Sequence, residues 1–490
     1  MADNSMPLYD KTFWFAGFFL SGVLAASIVE PWRARFVAVA FVWLLLVLSS
    51  LGFRRYTVAV LSFACLLGAA HFFVFSAAQA DVHMPFDEET AVTGVVAKAV
   101  AGTNKQELVI ALEPPYRGTV SATMPRYPSF VYGDLVRFEG VIAQPPERAV
   151  ARLQKNGVFG VMDFPRAEVI ARGKGSPIKK ILFGIKDLSE SVFERILPPD
   201  RAAFISGLTL GDTSKIPREF SDAMRATGTT HVVALSGYNI TIVVSAIMGA
   251  LGYVFSRKKA VGGAVAAVIF FVIMTGAEAS AVRAAIMAFI LLLANISNRV
   301  FSPRNAIVVA AFAMVAVNPR ILVWDVGFQL SFAAILGLVY LQPAITDFFK
   351  INPAPGFLRW RENLLTTISA QVAVLPILLV NFHTFTPLSI LTNVLILSAV
   401  PITMTFGFLA IGFGLISSYA ALLAGFALNL LLGYEMGVIR LFARFHDAIS
   451  VQNFGIALFI AYYLLLIAFI AYAEHKRRTR PLYERQPAWN

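Results

Sequence analysis

Long apolar runs, separated by short polar stretches, dominate the hydrophobic pattern of this chain. Three runs come first, at about Phe13–Val29, Phe36–Leu51 and Thr57–Ala77, and roughly eight to ten more follow between about Asp200 and Ala473. Most of these runs have a length near the roughly 20 residues that a helix needs to cross the hydrocarbon core of a bilayer. The pattern therefore predicts a membrane protein, mainly an α-helical polytopic bundle.

The stretch from Pro85 to Arg172 follows a different pattern, in which polar and apolar residues alternate. Apolar residues occupy every second position of Thr119–Met124 and of Leu108–Leu112, and Val136 and Phe138 alternate with charged neighbours. Alternation of this kind is typical of half-buried strands. Short strands of this kind favour a small antiparallel barrel or a sandwich. About ninety residues suit a five-stranded barrel, so we predict an inserted OB-like β-barrel domain at 85–172, after N-terminal transmembrane helices within 1–84.

Residues 173–199 carry the pattern of an amphipathic helix. Their apolar residues recur at helical spacing between Ile178 and Ile196, and Lys179, Lys180 and Lys186 lie on the opposite side. Such a helix is expected to lie in the membrane interface, with packing against the soluble domain as the alternative. The rest divides into a transmembrane core at 200–475 and a basic tail at 476–490.

The composition and the charge agree with this division. Hydrophobic residues make up 58% of the 490 residues and charged residues only 14%, whereas a soluble domain is roughly a quarter charged. The net charge of +12 includes a cluster of basic residues after the last apolar run. The positive-inside rule predicts that this tail is cytoplasmic.

The sequence lacks the residues that several classes of chemistry require. The chain has one cysteine, Cys65, its six histidines are scattered, and it has no phosphate-binding GxxxxGK[ST] motif. His231 and Ser236 are five residues apart, about 140° around a helix, so they would not meet as a base and a nucleophile. We therefore expect no metal, no cofactor, no ATPase and no enzymatic activity, and an intramembrane hydrolase is disfavoured.

Polar side chains inside the apolar segments are the candidate functional residues. A buried polar group must find partners on other helices or line a water-filled path, and both alternatives stay open here. The helix that would carry His231 and Asn239 places them on one face. The candidates are His231, Ser236, Gly237, Tyr238, Asn239, Arg283, Asp325 and Gln329.

Arg283 lies within the apolar run Ala279–Ile296, where an arginine costs roughly 2.5–3.5 kcal/mol on insertion scales. Asp325 and Gln329 are one helical turn apart in the run Ile321–Leu341. One hypothesis is that Arg283 and Asp325 form an ion pair that joins two helices. The other is that the guanidinium contacts phosphates that pass through the core.

Polar and Pro/Gly positions also predict interruptions of the apolar helices, at Ser236-Gly237, at Asp325 and at Pro376. Irregular backbone at membrane depth occurs where it is buried in protein or lines a cavity. Upstream, Gly211 and Pro217 predict a turn that leads into a helix, and Gly228 predicts the end of that helix.

Four segments, in order along the chain, closely resemble motifs of the ComEC competence family. They read LGD..KIP.EF...M.ATGTTHVVALSGYNI at 210–240, SAVRAAIMA at 280–288, DVGFQLSFAA at 325–334 and ISAQVAVLPILLVNFHTFTPLSILTN at 368–393. The resemblance implies a multi-pass channel of the bacterial cytoplasmic (inner) membrane that takes up single-stranded DNA during natural transformation. It also implies that the OB-like domain is extracytoplasmic.

The resemblance implies partners as well. These are single-stranded DNA, membrane lipid, a cytoplasmic ATP-driven DNA translocase and an extracytoplasmic DNA receptor. The chain departs from the family where Tyr238-Asn239 follow Ser236-Gly237, since the family's usual histidine is missing there. Many members also end in a metallo-β-lactamase-like domain that this sequence does not include, so we expect a nuclease supplied in trans.

Aromatic and basic residues of the OB-like domain are the candidates for DNA binding there. OB domains hold single strands in a basic groove with aromatic rings on which bases stack. Some of these aromatic residues will instead belong to the domain core. The candidates are Tyr116, Arg117, Arg126, Tyr127, Phe130, Tyr132 and Arg137. A different functional class is a proton-coupled secondary transporter of a small solute, which would use Asp325 or Glu278.

Overall fold

A computed structural model describes residues 8–28, 55–80, 82–102, 105–234, 237–296, 302–351, 360–445, 449–451 and 454–479. The predicted run Phe36–Leu51 and the tail beyond residue 479 lie outside these ranges. The chain divides into two compact units, which we describe separately. The first comprises Met1–Asp187, Arg257–Ala277 and Ala285–Asp325, and the second comprises Leu188–Ser256, Glu278–Ala284 and Val326–Asn490.

Most of the described residues are helical, as predicted. The helices are α1 (Leu8–Ile28), α2 (Arg55–Ala80), α3 (Glu147–Lys155), α4 (Pro177–Ile196), α5 (Pro199–Leu210), α6 (Arg218–Ala226), α7 (Thr230–Val233), α8 (Gly237–Val254), α9 (Arg257–Met274), α10 (Ala279–Ile296), α11 (Pro303–Val317), α12 (Ile321–Trp324), α13 (Val326–Leu336), α14 (Gln342–Phe348), α15 (Trp360–Phe382), α16 (Ser389–Leu397), α17 (Val400–Ile416), α18 (Ser418–Ala443) and α19 (Ile456–Thr479). A π-helical segment, Gly337–Leu341, joins α13 to α14.

Within the described residues, six helical segments are long and apolar enough to cross a membrane: Asp10–Ile28, Leu61–Gln79, Val326–Phe348, Trp360–Phe382, Tyr419–Ala443 and Ile456–Arg477. A seventh would be the pair α16 and α17, which meet at a bend of 46°. Shorter apolar helices lie at Asn239–Val254, Ala279–Ala294 and Pro303–Val317. The prediction of a multi-pass helical membrane protein fits these segments.

The soluble domain is built on one six-stranded sheet. Its strands are β1 (Glu89–Ala101), β2 (Lys105–Leu112), β3 (Thr119–Pro125), β4 (Leu135–Val141), β5 (Val158–Asp163) and β6 (Arg166–Ala171). Their order is β5-β3-β2-β1-β4-β6, and every pair is antiparallel except β3 and β5, which are parallel. A second, two-stranded sheet pairs β7 (Thr384–Phe385) with β8 (Ile449–Ser450).

The alternating pattern correctly predicts which side of this sheet is buried. Leu108, Ile110, Val120, Val136 and Phe138 all belong to one apolar core, which covers one face of the sheet. The prediction of an OB-like barrel is not confirmed, because the sheet is not a closed ring and has β5 and β6 as its two ends. Alternation within each strand fixes the buried face, but it does not determine whether the outermost strands meet.

The predicted turns around α6 are present. Gly211 follows α5 in the left-handed conformation with φ 73°, and Pro217 directly precedes α6. Gly228, with φ 63°, follows the end of α6, and a Cβ there would come within 2.7 Å of the Ser389 Cβ. Glycine is therefore required at Gly228 both by the backbone conformation and by the close approach of α16.

Of the predicted interruptions, the one at Asp325 is confirmed. Asp325 has an extended backbone (φ −104°, ψ 97°) between α12 and α13. The predicted interruption at Pro376 is wrong, because α15 continues through this proline. Proline removes one backbone N–H and so leaves the carbonyl of Val372 without its helical donor. The Tyr462 hydroxyl of α19 donates to that carbonyl at 2.9 Å, which replaces the missing bond.

Candidate functional site

Arg283 of α10 is a buried arginine in the second compact unit, with 5% of its surface exposed. Its guanidinium lies over the ring of Phe332 of α13, at 5.7 Å from the ring centre. Nε and Nη1 have no hydrogen-bond partner among the residues that the structure describes. The ring stabilises the cation by a cation–π interaction but accepts no conventional hydrogen bond from it.

Helix α8 starts beside this guanidinium. A Cβ on Gly237, the first residue of α8, would lie 3.9 Å from Nη2 of Arg283 and 3.7 Å from Cβ of Ala284. The first backbone N–H groups of a helix have no partner within the helix, and they carry the positive end of its dipole. A cationic side chain and a helix start therefore converge. This arrangement suits an anion such as a phosphate, which can accept hydrogen bonds from both.

The other polar residues of this stretch do not lie on one helix face, which corrects the prediction. His231 belongs to the four-residue helix α7, where its Nδ1 lies 3.1 Å from the Gly228 carbonyl oxygen. Asn239 is buried in α8, and its amide donates to the Leu208 carbonyl at 3.1 Å. The chain is extended at Ala234, after α7, so the spacing along a single helix does not apply. Ser236 and the side chain of Tyr238 lie outside the described part of the chain.

Asp325 has a different partner from the one considered in the sequence. Its carboxylate forms a salt bridge of 2.8 Å with Lys155, at the end of α3. Two further bonds join the same segments: the Asn318 amide donates to the Lys155 carbonyl at 2.7 Å, and the Arg320 guanidinium donates to the Gln154 side chain at 3.2 Å. We call this set of three contacts the connector latch. It ties the helix that follows β4 to the helix break at Asp325.

The same break overturns the predicted shared face of Asp325 and Gln329. Asp325 precedes α13, whereas Gln329 lies within it, so a single helical spacing does not relate the two side chains. Gln329 lies one turn before Phe332 and shares its side of α13. Because Lys155 pairs with the Asp325 carboxylate, the alternative that Arg283 forms an ion pair with Asp325 is not supported.

Lys215, in the LGD..KIP segment, binds two acidic residues of α4. Its ammonium donates to Glu190 at 2.7 Å and to Glu194 at 2.9 Å. Partial burial alone would lower the pKa of Lys215, but the hydrogen bonds and negative charges of the two glutamates raise it above its ordinary value. Lys215 therefore stays charged at neutral pH and joins the loop before α6 to α4.

The structure separates the DNA-binding candidates of the soluble domain. Phe130 is 4% exposed and belongs to the apolar core, so no base can stack on it, which corrects that assignment. Tyr132 packs edge-on against Phe183, and its hydroxyl accepts a hydrogen bond from the Ser176 backbone. Tyr116 stacks on His83 beside Arg117, at the β2–β3 turn. Arg137 forms a salt bridge with Glu139.

Arg126 and Tyr127 remain, at the opposite end of β3. Tyr127 is 73% exposed and Arg126 lies over its ring, at 5.7 Å from the centre. Phe164, which is 51% exposed, has Lys105 over its ring at 5.0 Å, and its backbone N–H donates to the Thr123 carbonyl at 2.8 Å. Lys105 is the strand partner of Pro125, next to Arg126. We call these two pairs the aromatic–cation surface.

A buried glutamine fixes the loop that carries half of this surface. The amide of Gln106 donates to the carbonyls of Pro125 and Pro128, at 2.8 and 2.5 Å, and its oxygen accepts from the Phe130 backbone N–H. The sequence analysis did not select Lys105 and Phe164. The available signal was Phe164 itself, an aromatic residue directly after β5, where the alternating pattern ends.

The described residues contain no group of three or more His, Cys, Asp or Glu side chains that could hold a metal ion. They do contain a buried acid that the sequence analysis did not select, Glu435 of α18, which is fully buried. The criterion that selected Arg283 would also have selected Glu435, because both are ionisable residues inside an apolar run.

Comparisons with known proteins agree with the motifs. The model of the family described as "Competence protein" matches residues 208–476, which is more than half of the chain. ComE operon protein 3 of Bacillus subtilis (strain 168) is 32% identical over 203 residues, which is 41% of this chain and 25% of that protein's length. The match thus spans a quarter of this relative. No solved structure matches. The family match and the relative together place this chain in the ComEC family of competence proteins.

Proposed function

We propose that this protein is a channel of the cytoplasmic membrane that takes up single-stranded DNA during natural transformation. The support is family membership, together with an anion-receptive site inside the family's matched region. Arg283 and Gly237 both lie within residues 208–476. The carrying observation is the buried guanidinium of Arg283, whose Nε and Nη1 lack partners among the described residues.

A buried arginine without an acidic partner among the described residues is costly for the protein and so calls for a function. Burial removes the cation from water, and neither the Phe332 ring nor the start of α8 supplies a negative charge. A phosphodiester group supplies both the charge and the acceptor oxygens, and a planar guanidinium matches two of these oxygens at once. Because this contact reads only the backbone of the strand, it suits a path for DNA of any sequence.

The soluble domain is proposed to be the outer single-strand binder. Strands β1 to β5 form a five-stranded set, and Ala143, just after β4, exchanges two backbone hydrogen bonds of 2.9 Å with Val161 of β5. These bonds support a partly open barrel of OB type, in which β6 is an addition. The aromatic–cation surface would receive the bases of the strand, because each ring offers a stacking face beside a cation.

The orientation and the partners belong to the same proposal. The soluble domain is extracytoplasmic, and it receives DNA from an extracytoplasmic receptor. A cytoplasmic ATP-driven translocase pulls the strand inwards, and a separate nuclease removes its complement, so the protein itself is not an enzyme. In α4, Ile178, Ile181 and Ile185 form an exposed apolar stripe, while Leu182 is buried, which supports an interfacial helix in contact with membrane lipid.

The test is to replace Arg283 with methionine in the chromosomal copy. Methionine keeps the length and removes the charge, so we expect normal or higher abundance in the membrane. We expect uptake of labelled DNA to fall about tenfold or more, since at least one phosphate contact is lost. Arg283→Lys keeps a charge without the planar fork and should lie between the two.

Arg361→Met is the matched control, because Arg361 is an exposed arginine of the same compact unit. It should leave DNA uptake unchanged. Wild-type uptake in an abundant Arg283→Met variant would refute the phosphate contact. If this variant instead loses proton-dependent uptake of a small solute while its DNA uptake stays normal, the secondary-transporter alternative gains support.

A further inference from the structure

Glu435 lies in the most buried stripe of α18, between Leu432 and Ile439, and it has 0% exposure. It is eight residues, roughly 12 Å, from the end of the apolar segment Tyr419–Ala443. Its Oε1 lies 2.6 Å from the Thr403 hydroxyl of α17. Its Oε2 has no hydrogen-bond partner within the described residues.

The charged groups on the neighbouring elements have other partners. Arg201 of α5 donates to the Asn429 carbonyl at 3.0 Å, and Arg440 of α18 pairs with Asp200 at 3.2 Å. The Tyr434 hydroxyl donates to the Leu395 carbonyl.

Helices α16 and α17 contain no ionisable residue. The charged residues of α6 are all at least partly exposed; they are Arg218, Glu219, Asp222 and Arg225. Among the described residues, no salt bridge therefore compensates a charge on Glu435.

The contacts of Thr403 indicate which form of the acid is present. The hydroxyl of Thr403 lies 3.2 Å from the Ala399 carbonyl oxygen as well as 2.6 Å from Glu435. If Glu435 is protonated, its O–H donates to Thr403, which in turn donates to Ala399, so each proton has an acceptor. If Glu435 is ionised, a single hydroxyl must stabilise a full charge in the interior of the membrane segment. In the protonated form every proton of this chain has an acceptor and no net charge is buried, whereas the ionised form leaves a full charge with a single donor.

This chain of bonds ends at the bend between α16 and α17. Ala399 is the residue before α17, and the two helices meet there at 46°. Asn363 of α15 donates to Ser398 of the same bend at 2.8 Å. A proton on Glu435 would thus link α18, through Thr403, to the carbonyl of Ala399 at the bend before α17.

We propose that Glu435 is a proton-binding site and that its bound proton fixes the bend between α16 and α17. This inference goes beyond the proposed function, and it does not depend on what crosses the core. Binding of a proton to a carboxylate forms one O–H bond, and its release leaves an uncompensated anion at the bend. The ligand is the hydrogen ion, exchanged with the aqueous phase.

Infrared spectroscopy of the full-length protein in lipid nanodiscs tests the site. The wild type should show the carbonyl band of a protonated carboxylic acid at neutral pH, and Glu435→Gln should remove it. Thr403→Val deletes the acceptor of the acid's O–H and should shift the band to higher wavenumber. The exposed Asp222→Asn is the control and should leave the band unchanged. A neutral-pH band that persists in Glu435→Gln, or no such band in the wild type, would overturn the proposal.

Thermal unfolding and hydrogen exchange address the bend. Glu435→Gln resembles the protonated acid and should keep the wild-type melting temperature, whereas Glu435→Leu should lower it. Above the pH at which the band disappears, amides of residues 398–403 should exchange faster in the wild type than in Glu435→Gln at the same pH. Equal exchange in the two proteins would show that the proton does not hold the bend.

Discussion

Pro376 shows how one side chain can repair a defect caused by another. The ring of a proline inside a helix removes a donor four residues after a carbonyl, here that of Val372, and usually bends or breaks the helix. Tyr462 supplies a hydroxyl donor in place of the missing N–H. The neighbouring Tyr463 also donates, at 2.9 Å, to the Ala373 carbonyl, but that carbonyl has a regular helical donor at Ile377.

We therefore predict that the contribution of Tyr462 depends on Pro376. Tyr462→Phe should lower the free energy of unfolding, and Pro376→Ala should remove much of this effect, because residue 376 then has an N–H for Val372. The expected coupling is about 0.6 kcal/mol, the average of interhelical hydrogen bonds in membranes. Tyr463→Phe combined with Pro376→Ala should be additive. A double-mutant cycle measured by unfolding in detergent compares the two, and equal coupling for both tyrosines would contradict the repair.

Single residues also show what sequence reasoning can and cannot reach. Arg283 stands out in the sequence because a charge in an apolar run is costly, and its side chain is buried. The partner of Asp325 could not be predicted, because Lys155 lies 170 residues before it and no local pattern connects the two residues. Phe130 and Tyr127 are near neighbours of similar character, yet one ring is in the core and the other is exposed. That difference depends on how Gln106 fixes the loop.

Among the elements, the strands were the easiest to predict, because alternation directly encodes the buried face. The arrangement of strands into a sheet was harder, since pairing such as β3 with β5 joins residues far apart in sequence. Helix continuity was predicted in part. Polarity correctly marked the break at Asp325, but Pro376 did not break α15, because the compensating donor comes from α19.

The aromatic–cation surface yields a prediction at the level of the soluble domain. Tyr127→Ala combined with Phe164→Ala should weaken binding of single-stranded DNA by the full-length protein, by about 1–3 kcal/mol for each base that loses its ring. Affinity should fall with salt, because we propose that Arg126 and Lys105 contact phosphates. Fluorescence anisotropy with labelled single strands and duplexes in nanodiscs measures both.

Val131→Ala is the control for this surface, because Val131 is exposed in the same loop but has no ring. It should bind DNA like the wild type. Tighter binding of duplex than of single strand, or equal binding by the double variant and Val131→Ala, would contradict stacking.

For the whole molecule, membrane topology is the most direct prediction. The soluble domain should face outward, and the end of α19 should face the cytoplasm, where its basic residues favour that side. In a Cys65→Ala background, Tyr127→Cys should react with an impermeant thiol reagent added to intact cells. Thr479→Cys should react only after the membrane is opened. Labelling of Thr479→Cys but not of Tyr127→Cys in intact cells would contradict this orientation. Gly118 is unsuitable for such a label, because its φ is 136° and a Cβ would collide with Met84.

The connector latch constrains the order in which the protein is made. Residues 154 and 155 leave the ribosome long before their partners, since 170 residues separate Lys155 from Asp325. At roughly 5–20 residues per second, the ribosome needs about 10–30 s to reach Asp325. During this interval Gln154 and Lys155 lack these partners, so any folding of the soluble domain proceeds with its connector unattached. Attachment of the connector to the helix break is therefore a late step of biogenesis.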